Sequence, residues 1–195
     1  AIASVAFLSA ALICSAAAKD EVVVTPSIQG SYSTIKVSGD FRVEYVQGGE
    51  ALNMTGKEKV LENVECFAKE DTLHIHYVEG KGAKAIVSGK SPVVRIPFST
   101  SVKKVILAGT VYMESQTTLS SNELSFKLSG ASRLIATTDI KNLAVHCAGT
   151  SNVTISGKAD NFDIRIDGAS RVSACEGFEC KDAHVDINGS GIVRI

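Results

Sequence analysis

Three carboxylates, Asp163, Asp167 and Asp186, lie in the last fifth of the chain beside Arg165, Arg171 and His184. Two carboxyl groups facing one groove at a separation of roughly 5 to 10 Å would suit glycoside hydrolysis, one giving a proton while the other acts as base or nucleophile. A polysaccharide-active lyase or hydrolase is therefore one reading. The other is that these are solvating charges, since acids set beside bases on adjacent strands are what exposed cross-strand pairing produces. Such pairs are individually weak, and this second reading is preferred. His74 and His76 alternate with Leu73, Ile75 and Tyr77, so both project from one side of a strand. Two same-face imidazoles can take a transition metal, but no third ligand stands near them, and a polar strand face is the expectation. Cys175 and Cys180 flank a glycine-containing turn and are the only local candidates for a disulfide. Of the five cysteines, the four after residue 18 allow three pairings, which the sequence does not choose among. Cys66 and Cys147 read as buried free thiols. No Gly-x-Ser-x-Gly elbow, phosphate loop or dinucleotide fingerprint is present. No catalytic, cofactor-binding or metal-ligating residue is assigned.

The elements that must carry these groups are strands that repeat. The phrases Leu107-Ala108-Gly109-Thr110, Leu128-Ser129-Gly130-Ala131-Ser132, Cys147-Ala148-Gly149-Thr150-Ser151, Ile166-Asp167-Gly168-Ala169-Ser170 and Ile187-Asn188-Gly189-Ser190-Gly191 recur at intervals of 21, 19, 19 and 21 residues. A fixed period of this size marks a solenoid. Four residues before each Gly stand Val105, Phe126, Val145, Ile164 and Val185, and four after it Met113, Leu134, Val153, Val172 and Val193. Lys127, His146, Arg165 and Asp186 fill one intervening column, and Arg133, Asn152 and Arg171 another. Alternation with period two on both sides of the Gly is strand and not helix. Each coil then holds two strands joined by a bend at Gly-(Ala/Thr)-Ser. Like residues at like positions favour a parallel β-helix over an antiparallel meander, because each column stacks on its counterpart about 4.8 Å away. Leu128, Cys147, Ile166 and Ile187 are expected to form one interior ladder.

The region from 19 to 100 is less regular. Ile35 to Tyr45 fits the same Gly-centred template, with Ile35, Val37, Val43 and Tyr45 inward. Val64 to Ala68 and Leu73 to Val78 read as a hairpin, and Val93 to Ile96 as one more strand between two prolines. Gly80 to Lys84 reads as a loop. Some of these strands are expected to cap the first coil, since an open end invites edge pairing. The expected division is a leader at 1–18, an N-terminal β region at 19–100 and a β-helical repeat region at 101–195, the last two continuous with each other.

The leader reading rests on the apolar run from Ile2 to Ile13, too short to span a bilayer, followed by small residues at Ala16 and Ala18. Cleavage after Ala18 is favoured; Cys14 offers a lipoprotein alternative, but Ile13 is a poor residue to precede it. The start lacks a basic segment and the end falls at Ile195 within a coil, so both true termini are expected to lie beyond the sequence. With 20 Lys plus Arg against 21 Asp plus Glu, the net charge is −1, and no basic stripe for nucleic acid stands out.

The phrase Ser38-Gly39-Asp40-Phe41-Arg42-Val43-Glu44-Tyr45, the repeated Ser-Gly-(Ala/Ser)-(Ser/Gly) phrase and the lead-in from Val93 through Pro97 to Leu107 together resemble the bacterial family described as putative auto-transporter adhesin, head GIN domain. The likeness covers nearly all of the chain after about residue 27. It implies secretion, an all-β fold with a single-stranded right-handed parallel β-helix, and a role in adhesion, and it brings no catalytic residues. This chain departs in using Ala-Ser or Thr-Ser where the family often has Ser-Gly. The resulting expectation is an exported module of the periplasm, outer surface or extracellular space. It binds an extracellular glycan or cell-surface ligand, needs no cofactor and is not an enzyme.

Overall fold

The computed structural model describes residues 21–46, 48, 51–80 and 90–195. The expected leader, Cys14 and most of the loop from Gly80 to Lys84 lie outside the described residues. The fold is a parallel β-solenoid of about four turns. In chain order its elements are β1 (Glu21–Val24), β2 (Thr34–Val46), β3 (Asn53–Lys57), the single-turn α1 (Glu58–Leu61), β4 (Val64–Lys69), β5 (Thr72–Tyr77) and β6 (Val93–Pro97). Then follow β7 (Lys104–Ser115), β8 (Leu119–Gly130), β9 (Arg133–Gly149), β10 (Asn152–Gly168), β11 (Arg171–Ala174), β12 (Glu179–Gly189) and β13 (Ile192–Arg194).

The coils stack in the register that the repeat predicts. Leu107 pairs with Leu128, Leu128 with Cys147, Cys147 with Ile166 and Ile166 with Ile187. The first four of these side chains are fully buried. Ile187 keeps the register but is 39% exposed, because β12 is the last strand of its column and nothing packs on its outer side. Val185 is exposed for the same reason.

The ladders also run further than the repeat shows. Val37 of β2 stands below Leu107, and Ile75 of β5 below Val37. Likewise Val94 of β6 pairs with Val43, and Val43 with Met113. Strands β5 and β6 thus lie side by side along the far edge of β2, as one coil would, although they follow β2 in the chain. Between β2 and β7 the chain leaves the stack, builds this lower layer and returns. The antiparallel pairs β4–β5, β3–β6 and β1–β3 close that end. The β4–β5 turn places Glu70 and Asp71 at positive φ, and Asp71 accepts backbone hydrogen bonds from Ser33 and Thr34, tying the hairpin to the start of β2.

The bend explains why the repeat needs glycine. Gly149 has φ +107°, a left-handed conformation, and a Cβ there would sit 2.8 Å from the Gly130 carbonyl oxygen of the preceding coil. Backbone strain and collision both act against any side chain. The serine after the bend turns inward: Ser132, Ser151 and Ser170 are each 1% exposed. Their hydroxyls donate to the carbonyls of Gly109, Gly130 and Gly149 at 3.2, 3.5 and 3.1 Å. These three buried hydroxyls therefore carry their own partners, whereas the buried Tyr45 hydroxyl has none among the described residues.

Gly149→Ala should cost roughly 2–4 kcal/mol of stability, while Lys127→Ala on an exposed rung should stay within about 0.5 kcal/mol. Chemical denaturation of both variants checks this, and equal effects would refute the close-contact account of the bend.

Candidate functional site

Two outward faces differ in chemistry. On the strands that precede the bend, one column runs Lys36, Ile106, Lys127, His146, Arg165 and Asp186, and its neighbour Ser38, Ala108, Ser129, Ala148, Asp167 and Asn188. The sequence-predicted carboxylates all lie here. Asp163 stands opposite His184, and Asp186 opposite Arg165. Asp167 Oδ2 lies 2.8 Å from His146 Nε2 and accepts from Arg165 Nε at 3.2 Å, while Oδ1 accepts from Asn188 at 3.2 Å. These donors, His146 foremost, hold the Asp167 carboxyl below the usual carboxylate range. A proton donor needs the opposite shift. The three aspartates are thus brought to one face and each set against a base.

The histidine pair lies at the lower end of the same face, beside a concavity of about 640 Å³ lined with Lys36, Ser38, Glu65 and Tyr77. Phe67 stacks on His74 and meets His76 edge-on, with ring centroids 5.2 and 5.8 Å apart. His76 Nδ1 lies 3.0 Å from the Tyr77 carbonyl oxygen. Partial burial, then the nearby Lys36, lower the pKa of His74. Among the described residues no three His, Cys, Asp or Glu side chains gather as a metal site.

The strands that follow the bend carry a different column: Arg42, Tyr112, Arg133, Asn152 and Arg171, each in register with the next. The Arg42 guanidinium lies 5.1 Å from the centre of the Tyr112 ring, a cation–π distance. It also reaches Glu44 and Glu114, each at 3.5 Å. Arg133 and Arg171 have no ion-pair partner among the described residues. About four residues further along the strands a column of hydroxyls runs up the stack: Thr137 N donates to Ser115 Oγ at 2.9 Å, and Thr137 Oγ1 lies 2.9 Å from Ser156 Oγ. A concavity of about 430 Å³ opens at the Arg42 end, lined by Arg42, Lys90, Tyr112 and Arg133 among others. The sequence reading names Arg133, Asn152 and Arg171 as a column but not Tyr112, which the repeat places there three residues after Gly109, nor Arg42, which joins it only across the excursion of residues 47–103 between β2 and β7. The shared Gly-centred template of β2 is the signal that could have placed them.

The family profile described as putative auto-transporter adhesin, head GIN domain, matches residues 31–195. The chain belongs to that family. Solved structures share the fold: a putative adhesin from Bacteroides fragilis, 12% identical with a TM-score of 0.55, is covered over 97% of its length by 91% of this chain. A putative lipid binding protein from Parabacteroides distasonis, 15% identical, has the same TM-score, with 97% of it and 90% of this chain aligned. A putative adhesin from the same organism is 14% identical with a TM-score of 0.52, aligning 95% of it with 89% of this chain. No curated protein matches. Among the described residues no helix is long and apolar enough to cross a membrane.

All four described cysteines are free thiols, so Cys175 and Cys180 are unbridged. Burial pushes the Cys66 and Cys147 thiols up to about 12. Iodoacetamide labelling of the native chain should therefore modify exposed Cys175 while sparing Cys66 and Cys147 until denaturant is added. Native labelling of Cys147 would refute its place in the ladder. Asp167 supplies a second test. Its folded pKa is depressed, so its contribution is full above the unfolded carboxylate value of about 4 and disappears as pH falls through the folded value. Acidification below about pH 4 should thus destabilise the parent chain more than Asp167→Asn. Equal acid sensitivity in melts of the two would show that the His146–Asp167 contact contributes nothing.

Proposed function

We propose that this chain is an exported cell-surface binding module of the adhesive kind, acting without catalysis. Export is supported by the apolar run from Ile2 to Ile13 and the small residues at Ala16 and Ala18. The binding role is supported chiefly by one observation: identical backbone rungs present unbroken columns of outward side chains, so a long ligand meets the same geometry at every coil. A hydrolase needs one carboxyl raised in pKa and placed against a second. Asp167, the best-connected of the three aspartates, is shifted the other way by its donors.

The test is to immobilise the chain on beads, offer polysaccharides and bacterial cell envelopes, and measure retention and sugar release together. Retention with no release of reducing or unsaturated sugar is the expected result. Release that is abolished by Asp163→Asn, Asp167→Asn or Asp186→Asn would overturn the non-enzymatic reading.

A further inference from the structure

Resting on that binding reading, we infer that the column Arg42–Tyr112–Arg133–Asn152–Arg171 is the site, and that its ligand is an acidic polysaccharide lying along the stack with one anionic group on every second sugar. Three observations carry this. Arginine recurs on alternate rungs, with Tyr112 and Asn152 between. Two rungs span about 10 Å, and a sugar in an extended chain advances by about one rung, so carboxylates or sulfates on alternate sugars meet successive arginines.

Open positive charge lies on the later rungs of this column. The positions flanking Arg133, Asn152 and Arg171 at two residues' distance along each strand are Ala131, Ile135, Thr150, Thr154, Ala169 and Ser173, with no carboxylate among them, whereas Glu44 and Glu114 already pair with Arg42, and the Tyr112 hydroxyl donates to Glu114. On the face before the bend, Asp163, Asp167 and Asp186 stand among the bases and would repel a polyanion. Arg133 and Arg171 are exposed and, among the described residues, without ion-pair partners, and a guanidinium fork suits a carboxylate or sulfate bidentately.

The third observation is the fit of a sugar rather than of a bare anion. Tyr112 gives a partly exposed ring on the rung between Arg42 and Arg133, and Thr154 and Ser173, in register with each other, set hydroxyls two residues beyond Asn152 and Arg171. Nucleic acid fits poorly, since a duplex carries a charge about every 1.7 Å along its axis, far denser than arginines about 10 Å apart.

The probe is a hyaluronan octasaccharide, in which a uronate alternates with a neutral sugar, titrated calorimetrically into the chain beside neutral cellooctaose and a short DNA duplex. Hyaluronan should bind with an affinity that falls as salt rises, and cellooctaose should not bind. Arg133→Gln and Arg171→Gln should each weaken hyaluronan binding roughly tenfold, with Lys at either position restoring it only in part. Thermal melts should be unchanged, separating loss of ligand from loss of fold. Undiminished binding by the double Gln variant, tighter binding of DNA, or no hyaluronan binding by the parent would each overturn the inference. Bead retention of cell envelopes by the double variant distinguishes the two levels. If it persists at the parent's value, the adhesive reading stands and the arginine column is the wrong site.

Discussion

Everything in this fold depends on how closely one bend can lie on the next. From Gly39 through Gly109, Gly130, Gly149 and Gly168 to Gly189, every glycine of the column has a positive φ. From Gly109 onward, a Cβ would come within 2.6 to 2.8 Å of the carbonyl oxygen of the glycine below. Those same carbonyls accept the next coil's backbone amide two residues beyond its paired glycine's predecessor, as Ala131 N does to Gly109 O at 2.9 Å. Thr150 N to Gly130 O and Ala169 N to Gly149 O repeat the bond at the same length. Removing the side chain is what lets that bond form. With the bends locked together, the strands on either side have no freedom of register, and a slip of one residue would turn every inward side chain outward.

Register then sorts chemistry without further instruction. Inward positions need only be apolar and of compatible size, which is why Leu, Cys and Ile share one ladder. Thr138 and the serine after the bend are polar but buried; the serine recurs at Ser132, Ser151 and Ser170. Its hydroxyl takes the second lone pair of a glycine carbonyl already bonded to an amide, so burial costs no unmet hydrogen bond. Outward positions are free of packing constraints, and the two faces have diverged in charge over the same backbone. Before the bend, Asp167 meets His146 and Arg165; after it, the rungs of Arg133, Asn152 and Arg171 carry no acid within two residues along the strand.

Much of this was legible in the residues themselves. The Gly-centred columns gave the interior ladder at Leu128, Cys147 and Ile166, because repetition in sequence order maps directly onto stacking order. Three features escaped for physical reasons. Strands β5 and β6 stack below β2 although they come after it, so no period along the chain reveals them. Ser132, Ser151 and Ser170 sit in a glycine-rich bend where polar residues ordinarily face water, and only the carbonyl partners explain their burial. Arg42 joins the column below Tyr112 only once β2 is laid against β7, across the chain's excursion between them. The aspartates and Arg165 were visible, but the cross-coil contacts from His146 and Asn188 were not, and these separate Asp167 from a proton-donating acid.

A scaffold of this kind also limits what function it can host. Catalysis concentrates interaction energy on one transition state at one point, which requires a few residues unlike their neighbours in environment. A repeating face spreads modest contacts over several rungs, and linked weak contacts raise overall affinity through effective concentration without any single strong one. Spacing then discriminates among ligands where chemistry alone would not, since a polymer out of step with the rungs can satisfy one arginine only by losing the next. The face before the bend differs, because Asp167 already holds His146 and Arg165, and Asp163 and Asp186 place further negative charge on the neighbouring rungs. The distinction between the two faces is therefore between charges that close on themselves and charges left open to a partner of matching period.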